Sequence, residues 1–265
     1  MTNPVPTLGL VYPDDMWVDQ DLAVVMAEWQ AYLGPEVRVV SARTYVPMRP
    51  QTVELGIWLA ENGEIEAAAA RLMRYRPQVV AYYCTTVSFV RGAAGDADLI
   101  RRMQAATGVP CTTTSRAVVE ALRALGIRRV ATASPYMPDV DQALTSFLHE
   151  HGIEVVSSRP LHLSEDHGLV PAERIRAAAE SADVPAADGI LISCTGQKAA
   201  GFLADLERRL GKPVVTSNQA TGWLALQMLG LEPRLPRLGR LFEGDTVRRE
   251  GTRVETGPGP RTRSR

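Results

Sequence analysis

Among 265 residues the sequence has only three cysteines and no Cys-x-x-Cys pair. A low, odd count without that spacing argues against a disulfide scaffold and against a zinc site, so no metal is expected. It fits a reducing, cytoplasmic setting. There is no uninterrupted apolar run of about 18 residues, so no spanning helix is expected. The opening Met1-Thr2-Asn3-Pro4 lacks the basic-then-apolar pattern of a signal peptide. Charge of one sign is missing too: 29 Lys and Arg stand against 30 Asp and Glu, a formal net charge of -1. Bulk charge therefore implies neither a nucleic-acid nor a membrane partner. What remains is ordinary globular composition, 45% hydrophobic and 22% charged, with enough chain for one large or two small cores.

The pattern alternates strand and helix. Residues 7–12 form a short apolar run that stops at Pro13-Asp14-Asp15, a strand and then a turn. Residues 21–33 have helical spacing and end at Gly34-Pro35, and 37–40 read as a second strand. A loop is expected over 44–48, since Pro47 and Pro50 oppose regular structure, and one long amphipathic helix over 53–74. Residues 79–83 form the strand that ends in Cys84. A helix over 99–106 and a short strand around Cys111 follow. Ser115 is placed to cap a helix over 116–125, closed by Gly126. The pattern then restarts: strand 129–133, helix 140–151, strand 154–157, helix 171–181, strand 190–193 ending in Cys194, helix 202–210, strand 213–216 and helix 221–229.

This reads as an internal duplication. In each half a short apolar strand delivers Cys-Thr at its C-terminal end, Cys84-Thr85 and Cys194-Thr195, and a later helix finishes in Leu-Gly, at 125–126 and 229–230. Strands alternating with helices give parallel sheets with crossover helices. The expected fold is α/β with two pseudo-symmetric lobes, each a short, mainly parallel sheet flanked by helices, with the active site in the cleft between them. Residues 1–114 plus 217–243 make one lobe, 115–216 the other. Residues 244–265, with six arginines, three acids and two prolines, have no periodicity and are expected to be a disordered tail.

Open α/β sheets place their chemistry at strand C-termini, so Cys84 and Cys194 are read as two halves of one site. A thiol can act as acid, as base when ionised, or as nucleophile. A helix following the strand-to-helix turn at Cys84 would favour that thiolate through its N-terminal potential. Backbone N–H groups of Thr85, Thr86, Thr195 and Gly196, with the threonine hydroxyls and the Tyr136 phenol, could hold a carboxylate and the enediolate formed beside it. Cys111 has no counterpart in the second half, where Val214 stands, and reads as structural. Asp14 and Asp15 either meet the cleft or remain solvated turn carboxylates. His162 and His167, single histidines in a loop, read as surface residues.

The stretch Cys84-Thr85-Thr86-Val87-Ser88-Phe89-Val90-Arg91-Gly92-Ala93-Ala94 resembles the first active-site segment of the arylmalonate decarboxylases. Residues 107–113, 122–136, 188–196, 207–215 and 239–242 continue the match. The wider group is the aspartate/glutamate racemase superfamily, which includes maleate cis-trans isomerase and hydantoin racemase. The resemblance implies a cofactor-independent enzyme with two pseudo-symmetric lobes. It implies that Cys194 reprotonates an enediolate, that Thr85, Thr86, Tyr136, Thr195 and Gly196 hold the carboxylate, and that the turn at Pro13 borders the site. One departure stands out: Cys84 occupies a position where the decarboxylases have glycine. Two thiols are instead similar to the racemases and to maleate isomerase, in which the first cysteine attacks the double bond and the second is the acid. That isomerase also uses asparagines after the first strand and in the second-half loop, where this chain has Asp14-Asp15 and Glu165-Asp166-His167.

The sequence thus predicts an isomerase or racemase acting next to the carboxylate of a small carboxylic acid, without cofactor, with Cys84 as base or nucleophile and Cys194 as acid. Substrate-binding positions are Pro13, Asp14, Thr85, Thr86, Tyr136, Thr195 and Gly196. A decarboxylase using Cys194 alone as proton donor is the alternative, and a non-catalytic carboxylate-binding relative is a third. The partner is a small molecule, with self-association left open.

Overall fold

The computed structural model describes residues 5–14, 29–47 and 50–243. Asp15, Met48, the first part of the helix expected over 21–33 and the tail expected over 244–265 lie outside these residues. Among the described residues the strands form two four-stranded sheets, all parallel. The first runs β2-β1-β3-β4, built from β1 (Thr7–Asp14), β2 (Arg38–Tyr45), β3 (Val79–Tyr82) and β4 (Cys111–Thr113). The second runs β6-β5-β7-β8, built from β5 (Arg129–Ser134), β6 (Glu154–Pro160), β7 (Gly189–Ile192) and β8 (Val214–Thr216). The same strand order appears twice, as the repeat predicts. Register agrees: Val80 pairs with Cys111 and Ile190 with Val214, so Cys111 and Val214 are structural equivalents. Strands β3 and β7 are apolar at every position and buried throughout, which parallel strands covered on both faces require.

Among the described residues, a helical stretch over 29–33 is followed by the helices α1 (Val53–Glu61), α2 (Glu64–Leu72), α3 (Thr85–Phe89), α4 (Gly92–Thr107), α5 (Thr114–Ala124), α6 (Pro138–Glu150), α7 (Ala172–Ala182), α8 (Leu203–Leu210) and α9 (Ser217–Met228). Several differ from expectation. The long helix over 53–74 is two helices, because Gly63 adopts φ +81°, a left-handed conformation that breaks the ladder. The loop expected at Thr44 is still strand, since β2 runs parallel to β1 as far as the Asp14–Tyr45 pair. The helix around Leu99 starts at Gly92. Ser115 is not a cap. Thr113 caps α5 by accepting the Arg116 N–H at 3.1 Å, and Ser115 lies inside the first turn. Likewise α9 starts at Ser217, before Thr221, because Thr216 and Gln219 form a capping box. Strand β6 runs on to Pro160, which an edge strand tolerates.

The helices α5 and α9 pack on each other, and their apolar faces (Val118, Leu122, Trp223, Leu224) join one cluster with Leu8 and Leu10 of the first sheet and Val130 and Leu191 of the second. Two further clusters cover the outer faces, one around Leu59, Leu72 and Met103, the other around Ile175, Ile190 and Leu206. A shared inner core therefore fixes the two sheets against each other, and with them the strand ends that carry Cys84 and Cys194.

The start of β7 leaves no room for a side chain. A Cβ at Gly189 would lie 2.6 Å from Ile127 Cδ1 and 2.9 Å from the Pro213 carbonyl oxygen. Gly189→Ala should lower the unfolding free energy by about 1–3 kcal/mol. Gly201→Ala, on an exposed turn with nothing within 4 Å of the added atom, should stay within about 0.5 kcal/mol of the parent. Urea unfolding of the two variants measures both.

Candidate active site

The ends of β1, β3 and β7 converge on one cavity of about 120 Å³. One ordered water needs roughly 10–15 Å³ of such space, so the cavity has room for a small organic acid. Its wall includes Pro13 and Asp14 from β1, Cys84, Thr85 and Thr86 from the turn after β3, and Cys194, Thr195 and Gly196 from the turn after β7. These are all the predicted site residues except Tyr136. Cys111 lies elsewhere, buried, with Sγ 3.4 Å from the Val109 carbonyl, and burial raises its pKa.

Cys84 has extended backbone (φ -159°, ψ 121°) and immediately precedes the five-residue helix α3. Its carbonyl lies 2.7 Å from Ser88 Oγ, which also lies 2.7 Å from Ser115 Oγ. Thr85 is 2% exposed, and its hydroxyl donates to Ser217 Oγ at 3.1 Å. Thr85 therefore offers the cavity its backbone while its side chain braces the turn.

Cys194 is built differently. Its φ is +102°, a region that non-glycine residues enter only under constraint. The helix expected over 202–210 is α8 and begins at Leu203, so unlike Cys84 this thiol does not lead directly into a helix. Other groups hold the turn. The Cys194 N–H donates to Ser217 Oγ at 3.1 Å, its carbonyl accepts the Gln197 N–H at 3.1 Å, and the Gly196 N–H points at Sγ from 3.4 Å. His167 Nδ1 lies 3.9 Å from Sγ. The Tyr83 phenol reaches across to the Thr195 carbonyl at 3.4 Å, and Asn218 Nδ2 donates to the same oxygen at 3.1 Å.

Each thiol has a buried phenol beside it. Tyr136, 1% exposed, sits behind the cavity wall with its hydroxyl 3.2 Å from Ser193 Oγ. Burial first, then the nearby Cys194, push its pKa well above the ordinary value, so it stays protonated. Tyr82 is placed likewise beside Cys84, and burial and that thiol hold it neutral too. Neither phenol is available as a base near neutral pH. At the cavity mouth, Arg43 pairs with Asp14 at 3.2 Å, both half-exposed. The carboxylate that ends β1 thus faces an incoming anion already paired with a cation. Tyr12 beside them has its pKa raised, chiefly by burial.

A family model described as arylmalonate decarboxylase matches residues 59–242. The chain belongs to the arylmalonate decarboxylase family. It is 40% identical over 185 residues to the arylmalonate decarboxylase of Bordetella bronchiseptica, covering 66% of this chain and 75% of that one. It is 29% identical over 250 residues to a maleate isomerase of Nocardia farcinica, covering 91% and 96%. Among solved structures, an arylmalonate decarboxylase variant with one glycine-to-cysteine and one cysteine-to-serine change, in liganded form, superposes with a TM-score of 0.80 at 34% identity, covering 90% of this chain and 99% of that one. The maleate isomerase of Pseudomonas putida S16 shares the fold, with a TM-score of 0.80 at 23% identity over 91% and 99% of the two chains. These relatives are enzymes, and the resemblance read from residues 84–94 agrees with them.

Within this family frame, the residue that sequence reasoning misjudged is His167. It is not on the surface; it is 6% exposed and on the cavity wall. Its loop folds back because Gln197 Nε2 donates to the His167 carbonyl at 2.8 Å and because residue 196 is glycine, whose Cβ would lie 3.0 Å from Gly168 N. Arg43, Gln51 and Tyr83 were also missed. Arg43 sits one pleat from the end of a strand parallel to β1, a placement legible only after β2 is seen to extend past Thr44.

Strain at residue 194 is measurable apart from chemistry. Glycine adopts φ +102° freely, so Cys194→Gly should be more stable than Cys194→Ala by about 1 kcal/mol. Equal urea midpoints and slopes for the two would show that the turn is unstrained.

Proposed function

We propose that the protein is a cofactor-independent isomerase or racemase that forms and reprotonates a planar intermediate next to the carboxylate of a small carboxylic acid. The observation that carries this reading is that two thiols, each at the end of an equivalent strand in duplicated sheets, line one cavity. Cys84 is the base or nucleophile on one side and Cys194 the acid on the other. Attack or proton removal by Cys84 sends charge onto the substrate carboxylate as an enediolate. First-turn N–H groups of Thr85 and Thr86, free of intrahelical partners, and the Thr195-Gly196 turn supply donors where that charge develops. One such donor is typically worth about 3 kcal/mol of barrier. Arg43 offsets Asp14, so an unsaturated diacid such as the maleate handled by the isomerase relatives is compatible with the cavity mouth. Cysteines held outside any disulfide suit a reducing compartment.

A second reading is favoured by the 40% identity to arylmalonate decarboxylase: decarboxylation of a substituted malonate with Cys194 alone donating the proton. The two readings separate at Cys84. In the first, Cys84→Gly and Cys194→Ala each lower kcat/KM by at least about 100-fold, the usual scale for a lost acid or base. In the second, Cys84→Gly retains activity while Cys194→Ala loses it. Exchange of the α-hydrogen of trial acids with deuterium from solvent, followed by NMR, detects the planar intermediate whatever the product. Absence of exchange with maleate-type and malonate-type acids, together with no turnover, would overturn both.

A further inference from the structure

We infer that His167 is the proton partner of Cys194, a positioning residue that holds this thiol as a thiolate and returns its proton on demand. The inference rests on the proposed role of Cys194, but its test does not require turnover.

The assignment follows from the contacts of the two ring nitrogens. Nε2 lies 2.9 Å from the Leu163 carbonyl oxygen. A carbonyl only accepts, so Nε2 carries the hydrogen, and the neutral ring then has its lone pair on Nδ1. Nδ1 is the atom that faces Cys194 Sγ, at 3.9 Å. The distance is long for a formed bond, as catalytic hydrogen bonds often are before substrate arrives. Between a neutral ring and a neutral thiol, sulfur donates and nitrogen accepts, which is the direction in which the proton can pass to the ring. The ring is not a side chain that happens to drift near. Gln197, itself 2% exposed, fixes its backbone, the Tyr136 ring packs edge-on at 5.9 Å, and the absence of a side chain at Gly196 lets the loop close.

In the resting pair the S–H bond breaks and an Nδ1–H bond forms, giving thiolate and imidazolium. The Gly196 N–H, 3.4 Å from Sγ, already points at the anion. When the substrate intermediate forms, Nδ1–H breaks and S–H reforms, then S–H breaks as the carbon takes the proton. In an isomerisation the proton returns by the same route. The histidine thus does at Cys194 what the helix N-terminus is expected to do at Cys84. Among the described residues, the titratable groups around the pair are Tyr136 behind it, Cys84 and Tyr83 across the cavity, and Tyr12, Asp14 and Arg43 at the mouth. Glu165, Asp166 and Lys198 flank it in the chain, the last two exposed. Tyr136 stays neutral and Arg43 pairs with Asp14, which leaves the imidazole, 3.9 Å away, as a base in reach of the thiol.

The test is the pH dependence of iodoacetamide labelling at Cys194, read by mass spectrometry on the whole protein in the parent, His167→Asn and His167→Gln. Thiolate ultraviolet absorbance of the parent minus that of Cys194→Ser is measured in parallel. The expected result is labelling at neutral pH at least ~10-fold faster than a model thiol in the parent. Asparagine keeps an acceptor near the Nδ1 position but cannot hold a proton as a cation, so both His167 variants should lose that advantage and converge with the parent only above the ordinary thiol pKa of about 8.5. Identical profiles in parent and variants would overturn the inference. If the variants do not fold, the parent's absorbance decides alone: thiolate from Cys194 below pH 7 supports it, and none until the ordinary thiol range overturns it. Absence of turnover in the parent, with the Cys194 thiolate present there and lost in the His167 variants, would count against the proposed function and leave this pair standing.

Discussion

The hydroxyl of Ser217 is the point on which the site depends. It accepts the Thr85 hydroxyl from the turn after β3 and the Cys194 N–H from the turn after β7, both at 3.1 Å. Two residues 109 positions apart in the chain thereby share one atom. Ser217 is the first residue of α9, and the Thr216–Gln219 capping box fixes that helix start. α9 in turn packs on α5, whose first turn places Ser115 Oγ 3.0 Å from the Thr85 carbonyl. The geometry around both thiols is therefore set by two packed helices and their caps rather than by loops. A buried N–H left without a partner costs about 1–3 kcal/mol, so the Cys194 turn has a strong reason to stay on Ser217.

That anchoring explains how residue 194 can hold a left-handed backbone. Such conformations cost about 1–3 kcal/mol and persist where surroundings over-determine them. Here the N–H goes to Ser217, the carbonyl to Gln197 N, and the sulfur is met by Gly196 N–H. What the strain achieves is orientation. The turn closes on itself within three residues, leaving the sulfur facing both the cavity and the buried imidazole. A relaxed turn running straight into a helix, as at Cys84, has no such arrangement.

The positions of the two thiols were legible in the sequence because they depend on local signals: short apolar strands, each ending in Cys-Thr, in a pattern that restarts. Period and turn chemistry suffice for that, and the parallel two-sheet fold follows. The break at Gly63 was also written in Asn62-Gly63 and was overridden by helical periodicity on either side. His167 was not legible. A histidine in an Asp- and Glu-flanked loop has surface composition, and only tertiary contacts from Gln197 and Gly196 bring it inside. Nor was the backbone of Cys194 legible, since nothing in its composition calls for φ above zero. The cap at Thr113 was misplaced by two residues because Ser115 satisfies the same propensity, and the strand register, not the side chain, decides where α5 begins.

The deeper consequence of the duplication is that equal positions have become unequal environments. Both thiols follow the third strand of a four-stranded parallel sheet, and both have a neutral, buried phenol beside them. Beyond that they diverge: Cys84 has relaxed backbone ahead of a one-turn helix, while Cys194 has strained backbone and an imidazole. A racemase working equally in both directions is served best by two matched acid–base groups, since each must be base in one direction and acid in the other. An enzyme in which one thiol adds to carbon while the other lends and retrieves a proton needs the opposite, a nucleophile and a proton store with different supports. The asymmetry built around His167 therefore weighs toward the addition–elimination form of isomerisation over racemisation, on a scaffold whose symmetry alone would favour neither.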